Sequence, residues 1–232
     1  MGELYQVLLE DPGTLGALAR NFFDDALVQA IPAQALSDPF SWPAETVPIE
    51  LPLDLNGARA VRTRLLQHPL RPRVLLVTSA APGAGKSATA LSLAAATAQL
   101  PGLRALLVTF GSGGSPGLLD VLAGDTPLAS ALRQAEGIEN LCILPGGEPR
   151  PAGDDLLHHA RWDALCRQVR AVFDLVVLDG PVWCGSSVEQ VLQASADGVL
   201  LVARLDATRR DALARTLDQL AGPRFLGVTL TR

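Results

Sequence analysis

RVLLVTSAAPGAGKS, residues 73–87, decides the fold. Its first part, Val74–Thr78, is an apolar run with strand character, and an alanine-rich helical pattern, Ala88–Leu100, follows it. Between them Gly83 and Gly85 let the chain turn its N–H groups inward, and the N-terminus of the next helix favours an anion. The segment matches the second half of a Walker A loop; the strict pattern would place glycine where Ala80 stands. Lys86 is spaced to reach the β- and γ-phosphates of a nucleotide, and the Ser87 hydroxyl to ligate Mg²⁺. Ala81, Pro82, Gly83, Ala84, Gly85, Lys86, Ser87 and Ala88 are the expected phosphate cradle, with ATP or ADP and Mg²⁺ as cofactors.

Outward from this loop, strand-like runs recur at Leu103–Val108, Leu141–Leu144, Leu175–Leu178, Gly198–Ala203 and Phe225–Leu230. Helical patterns lie between them at Trp162–Val172, Val188–Ala194 and Arg209–Leu220. Apolar strands alternating with helices predict an α/β fold, a mostly parallel sheet flanked by helices, with ligands at the carboxyl ends of the strands. FDLVVLDGP, residues 173–181, ends such a strand on Asp179, which is placed to hold Mg²⁺ directly or through water. Lys86 and Asp179 are therefore the expected catalytic residues, and Ser87 and Asp179 the expected metal ligands. Asp54 can cap a helix carrying Ala58, Val61, Leu65 and Leu66, which His68-Pro69 would end.

Residues 1–53 differ in character. A helical pattern at Leu15, Leu18, Ala19, Phe22, Phe23, Ala26 and Leu27 follows Thr14, and prolines at 32, 39, 43, 48 and 52 then exclude a long helix. We read 1–53 as an N-terminal helix and proline-punctuated arm, either a linker or a docking element with Phe40 and Trp42 as anchors. Residues 54–232 form the nucleotide-binding domain.

Composition sets the outer limits. A 48% hydrophobic and 19% charged content excludes a disordered chain. A net charge of −5 argues against a nucleic-acid partner. Of 19 basic residues only Lys86 is lysine, and Tyr5 is the only tyrosine. Cys142, Cys166 and Cys184 lack metal-ligand spacing and read as buried or half-buried thiols of a reducing compartment. The longest uncharged stretch, Ser87–Leu103, is alanine-rich and broken by Pro101, so it does not read as a membrane span. With no signal-peptide pattern, a cytoplasmic location is expected.

The motifs together resemble the bacterial tyrosine kinases (BY-kinases) of capsule and exopolysaccharide systems, relatives of the MinD and ParA ATPases. The resemblance runs from Asn56 to Arg232. It rests on VTSAAPGAGKS (77–87), GLLDVLAGDTPLASAL (117–132), FDLVVLDGP (173–181), ADGVLLVAR (196–204), TRRD (208–211) and LGVTLTR (226–232). It implies a P-loop NTPase fold of the MinD/ParA kind. It also implies a membrane chain-length regulator, or polysaccharide co-polymerase, as partner and as the means of recruitment to the inner membrane face. The family's ExxRxxR element, which packs one subunit on the next, is similar to Asn56-Gly-Ala-Arg59-Ala-Val-Arg62, with asparagine in place of glutamate; a homo-oligomer through Arg59 and Arg62 is implied.

Two departures bear on activity. The family's Walker A′ strand, LLxDxDxR, corresponds to Leu106-Leu-Val-Thr109-Phe-Gly111, so Thr109 and Gly111 replace both aspartates. The tyrosine-rich tail on which such kinases autophosphorylate has no counterpart, and Thr231 stands where asparagine is usual. The expected protein is a nucleotide-binding BY-kinase-like regulator with weak or no kinase activity. Its alternatives are an active protein-tyrosine kinase, or a MinD/ParA-like positioning ATPase that hydrolyses ATP slowly. The Gly111–Gly117 loop reads as a flexible connector, with an anion nest as its alternative.

Overall fold

The structure is a computed structural model that describes residues 42–43, 45–49, 54–151, 153–158 and 160–231. The helical pattern around residues 14–27 and the anchor Phe40 lie outside the described residues. In chain order the elements are β1 (Thr46–Val47), α1 (Leu55–Gln67), β2 (Val74–Ser79), α2 (Lys86–Ala98), β3 (Ala105–Thr109), α3 (Leu118–Ala123), α4 (Leu128–Ala131), β4 (Arg133–Ala135) and β5 (Leu141–Leu144). A 3₁₀ turn (Gly153–His158) follows, then α5 (Ala160–Val172), β6 (Leu175–Val182), α6 (Ser187–Ser195), β7 (Gly198–Arg204), α7 (Arg210–Leu220) and β8 (Phe225–Thr231).

One sheet of eight strands runs β1-β4-β5-β3-β6-β2-β7-β8, and every neighbouring pair is parallel except β4–β5. The α/β class and the mostly parallel sheet read from the sequence are what the chain adopts. Because side chains alternate along a strand, each central strand feeds two cores. Val74 and Leu76 of β2, Val176 and Leu178 of β6, and Val199 and Leu201 of β7 face the core shared with Leu122, Trp162, Leu165 and Leu192. Leu75, Val77, Val177, Leu200 and Val202 face the opposite core, against α1 and α2. Burial on both faces is why these strands read as unbroken apolar runs. In α2, the small side chains of Ala90, Ala94, Ala95, Ala96 and Ala98 are buried, which lets the helix lie close to the sheet.

Local chemistry sets the ends of the elements. Asp54 caps α1 by accepting from Gly57 N at 2.9 Å, as expected from its position. Asp197 accepts from the N–H groups of Arg73 and Val74 at 2.9 and 2.8 Å and from Arg170 Nη1, so it ties the start of β2 to α5. Strand β3 begins two residues later than the apolar run suggests, because Leu103 N closes a turn on Leu100 O. Helix α2 begins at Lys86 rather than Ala88, so the loop lysine already belongs to the helix.

Thr46–Val47 lies within the stretch read as an arm, yet it pairs in parallel with β4. Trp42 packs against the core of this chain. Trp162 and Trp183 are buried packing residues; the Trp162 ring meets Phe110 edge-on at 6.0 Å. Cys142 is buried and Cys166 half-buried, and burial pushes both thiols up to about 12. Cys184 departs from the expectation: it is exposed, because it sits in the turn after β6, where its Sγ donates to Glu189 Oε1. Among the described residues no helix is long and apolar enough to cross a membrane.

Candidate nucleotide site

Strand β2 delivers the loop to the carboxyl edge of the sheet, between β6 and β7. Gly83 and Gly85 have φ of +71° and +80°, the left-handed region that glycine occupies without steric cost. Gly85 is also the residue from which α2 starts. The N–H groups of Gly83, Gly85, Lys86, Ser87 and Ala88 find no acceptor among the described residues. Clustered backbone donors at a helix N-terminus make an anion cradle.

The loop is held from three sides. Ser79 Oγ donates to Ala81 O at 2.9 Å, Thr89 Oγ1 to Gly85 O at 2.9 Å, and Thr231 Oγ1 to Ala84 O at 2.8 Å. The last bond crosses from the end of β8. A Cβ on Gly85 would approach the Thr231 methyl at 3.3 Å, so space as well as backbone angle favours glycine there. Beside the loop a cavity of about 730 Å³ opens between α1, α2 and β8, lined by Gly83, Ala88, Thr89, Arg204 and Thr231.

Asp179 comes from β6, directly between Val77 of β2 and Thr109 of β3. Lys86 Nζ lies 3.0 Å from Asp179 Oδ1 and 3.2 Å from Ser87 Oγ, in a half-enclosed position. One ammonium thus bridges the two side chains expected to hold Mg²⁺, which shows that their oxygens converge on a cation. Among the described residues no group of three His, Cys, Asp or Glu side chains forms a metal centre. The residues present fit a nucleotide with Mg²⁺: backbone donors and Lys86 for the phosphates, Ser87 and Asp179 for the ion. Bound there, the ion would neutralise phosphate charge.

The Thr109 side chain is beside Asp179 in register, and its Oγ1 accepts from Gly146 N at 3.1 Å. Gly111 belongs to the loop from β3 to α3, which backbone bonds tie to the loop after β5 rather than leaving it a loose connector. Gly113 and Gly147 exchange backbone hydrogen bonds of 3.0 and 3.2 Å, and Gly117 N donates to Asp120 Oδ2 at 2.7 Å. A Cβ on Gly117 would meet Gly147 N at 2.4 Å, so this zipped contact requires glycine. Arg150 then clamps the loop, pairing with Asp120 at 2.5 Å and Asp125 at 2.6 Å. The Gly117 N–H and then the Arg150 guanidinium hold the Asp120 carboxyl below the usual range, against its burial.

The fold brings together Lys86, Ser87 and Asp179, the side chains singled out in the sequence. Not singled out were the link from Thr231 to Ala84, which carries no local signal, and Glu189, a buried carboxylate that accepts from the N–H groups of Cys184, Gly185 and Ser186 and organises the turn after β6. The Ser186-x-x-Glu189 capping pattern was a signal for it. Arg59 and Arg62 bond within the chain, to Gln99 Oε1 and Ala96 O at the end of α2.

A mostly parallel sheet with this loop, lysine and strand-end aspartate defines a P-loop NTPase fold. No protein-family model matches the chain. It is 29% identical over 188 residues to the tyrosine-protein kinase CpsD of Streptococcus agalactiae, covering 75% of this chain and 81% of that one. It is 30% identical over 185 residues to the tyrosine-protein kinase YwqD of Bacillus subtilis, covering 73% and 77%. The kinase domain of the Escherichia coli tyrosine kinase ETK superposes with a TM-score of 0.68 at 26% identity, covering 76% of this chain and 74% of that one. ParA and MinD ATPases, both 21% identical, share the fold. The chain belongs to the bacterial tyrosine kinase family.

Proposed function

We propose that this protein binds ATP or ADP with Mg²⁺ and regulates capsule or exopolysaccharide synthesis or export, with weak or no tyrosine kinase activity. The nucleotide half of this reading rests on the free N–H groups from Gly83 to Ala88 and on Lys86. The activity half rests on one observation: the strand position beside Asp179 holds Thr109, whose hydroxyl is occupied by Gly146 N. Phosphoryl transfer depends on positioning and charge neutralisation, and a group that orients the nucleophile commonly contributes about 10²–10⁴-fold. On the two strands that flank it, Asp179 has Val77 and Thr109 as neighbours and no second carboxylate.

In this reading Lys86 leaves Asp179 to neutralise the phosphates, and Ser87 and Asp179 then hold the metal. Residues 1–53 serve as an arm and 54–232 as the nucleotide domain. The partner is a membrane chain-length regulator or polysaccharide co-polymerase, which recruits the protein to the inner membrane face. Assembly through the Arg59/Arg62 helix would require those arginines to exchange their bonds to α2 for bonds to a neighbour.

A second reading, an active protein-tyrosine kinase, is favoured by a cavity of about 460 Å³ at the carboxyl ends of β3 and β6. It is lined by Phe110, Leu118, Arg150, Leu157 and Val188, where an acceptor side chain could approach. Titration with Mg²⁺–ATP of wild type and Lys86→Ala, followed by labelling with γ-labelled ATP and site mapping, tests both. The first reading expects binding that is markedly weakened in Lys86→Ala, and at most trace label above that variant. Equal affinity of the two proteins would sink nucleotide binding at this loop; near-stoichiometric label on tyrosine would establish the active kinase.

A further inference from the structure

Arg62 carries a donor without an acceptor. Its Nη1 donates to Ala96 O at the end of α2, but its Nε, closed off from water, has no partner among the described residues. Buried N–H groups in folded proteins are nearly always paired, and an orphan of this kind points to a missing acceptor. The Arg62 side chain lines a cavity of about 350 Å³ under the N-terminal ends of β2, β3 and β6, at the opposite end of the sheet from the phosphate loop. Its walls are apolar: Leu65, Leu66, Pro72, Leu103 and Leu175.

The charges at this cavity are unbalanced. Arg71 and Arg73 join Arg62 in its lining, against one carboxylate, Asp174. Arg73 Nη2 is occupied by the carbonyls of Arg170 and Phe173, and Asp174 Oδ2 by the N–H of Arg104. Arg71 forms no ion pair among the described residues. Its backbone is held in the left-handed region, φ +42°. Among the described residues none of the three guanidiniums has a carboxylate counter-ion, and all three border a leucine-lined space.

We propose that this cavity binds a medium-chain acyl carboxylate. The tail lies against the leucines, and the head accepts from the Nε edge of Arg62, with Arg71 at the mouth. A turn of the guanidinium toward the cavity brings that edge to the ligand and gives the orphan donor a charge-assisted bond. The planar fork of arginine matches a carboxylate, and a single charge loses less hydration on entering an apolar space than a phosphate dianion would. A cavity of this size suits a chain of about eight to ten carbons. The site is independent of the nucleotide reading, since it uses neither the loop nor Asp179.

Calorimetric titration of the full chain with decanoate, below its micellar concentration, and with decanol tests the proposal. Wild type is expected to bind one decanoate saturably, with decanol about tenfold weaker or more. Arg62→Met should weaken decanoate by about tenfold or more and leave decanol unchanged. Leu66 is 53% exposed, so Leu66→Asn should keep the fold while weakening both ligands. If Arg62→Met fails to fold, the decanoate–decanol difference and Leu66→Asn decide. Absence of saturable decanoate binding, or decanoate and decanol binding equally, overturns the proposal. So does self-association of wild type, lost in Arg62→Met, with no decanoate bound; the acceptor would then belong to a second copy.

Discussion

At Lys86 one ammonium meets Asp179 at 3.0 Å and Ser87 at 3.2 Å, so nucleotide binding has to trade this contact for phosphate oxygens. Loss of a charge-assisted contact is worth about 1.5–3 kcal/mol. Lys86→Ala is therefore expected to weaken ATP binding roughly 10- to 100-fold by titration calorimetry. Thr109 offers the complementary test. A carboxylate there could still accept from Gly146 N and would stand beside Asp179 in register. Thr109→Asp should raise Mg²⁺-dependent phosphoryl transfer from labelled ATP by about tenfold or more, below the full effect of a positioned base because Gly111 still lacks a carboxylate. Unchanged transfer would mean that the missing carboxylate at 109 is not what limits the reaction. Both positions were legible in the sequence, because each sits at a fixed offset from the end of an apolar strand. The contact between Lys86 and Asp179 was not: 93 residues separate them.

Between β3 and α3 the chain is held to the loop after β5 by glycine-to-glycine hydrogen bonds, with Asp120 and Arg150 closing the clamp. Asp120 is 7% exposed, and the Gly117 N–H, then Arg150, hold its carboxyl below the ordinary carboxylate range, against its burial. A group with a depressed folded-state pKa stabilises fully above its unfolded value. That stabilisation is lost as pH falls through the folded one. Urea unfolding should therefore show stability falling below about pH 4, with a smaller fall in Asp120→Asn. At pH 7, Asp120→Ala should cost about 1.5–3 kcal/mol, the worth of a charged hydrogen bond in a buried setting. The sequence suggested a loose Gly-Ser connector here. Glycine composition is shared by flexible loops and by backbones packed too closely for a side chain, and only the partner strand distinguishes them.

Over the whole molecule, the two cores follow from alternation, and the far edge of the sheet does not. Arg133 is 7% exposed and pairs with Glu45 at 3.0 Å, while Gln134 N and Glu136 N donate to Glu45 O and Val47 O. A chain starting at residue 54 would leave that arginine buried without its carboxylate, so it should unfold at lower urea than one starting at residue 42. Equal midpoints would show that β1 contributes nothing to the domain. Trp162 offers a second measure: it is 2% exposed, meets Phe110 and donates to Ser195 Oγ at 2.8 Å. Trp162→Ala should cost about 3–5 kcal/mol. By itself the sequence determined the α/β class, the phosphate loop and the strand-end aspartate, because burial on both faces and a strand-to-helix turn leave local, periodic marks. Tertiary structure alone decided that two residues of the arm become a strand and that Thr231 braces the loop. It likewise decided that Thr109 neighbours Asp179 and that Arg62 is left with an unpaired donor. Each of these depends on which distant backbone or side chain lies alongside, and such pairing leaves no periodicity in the chain.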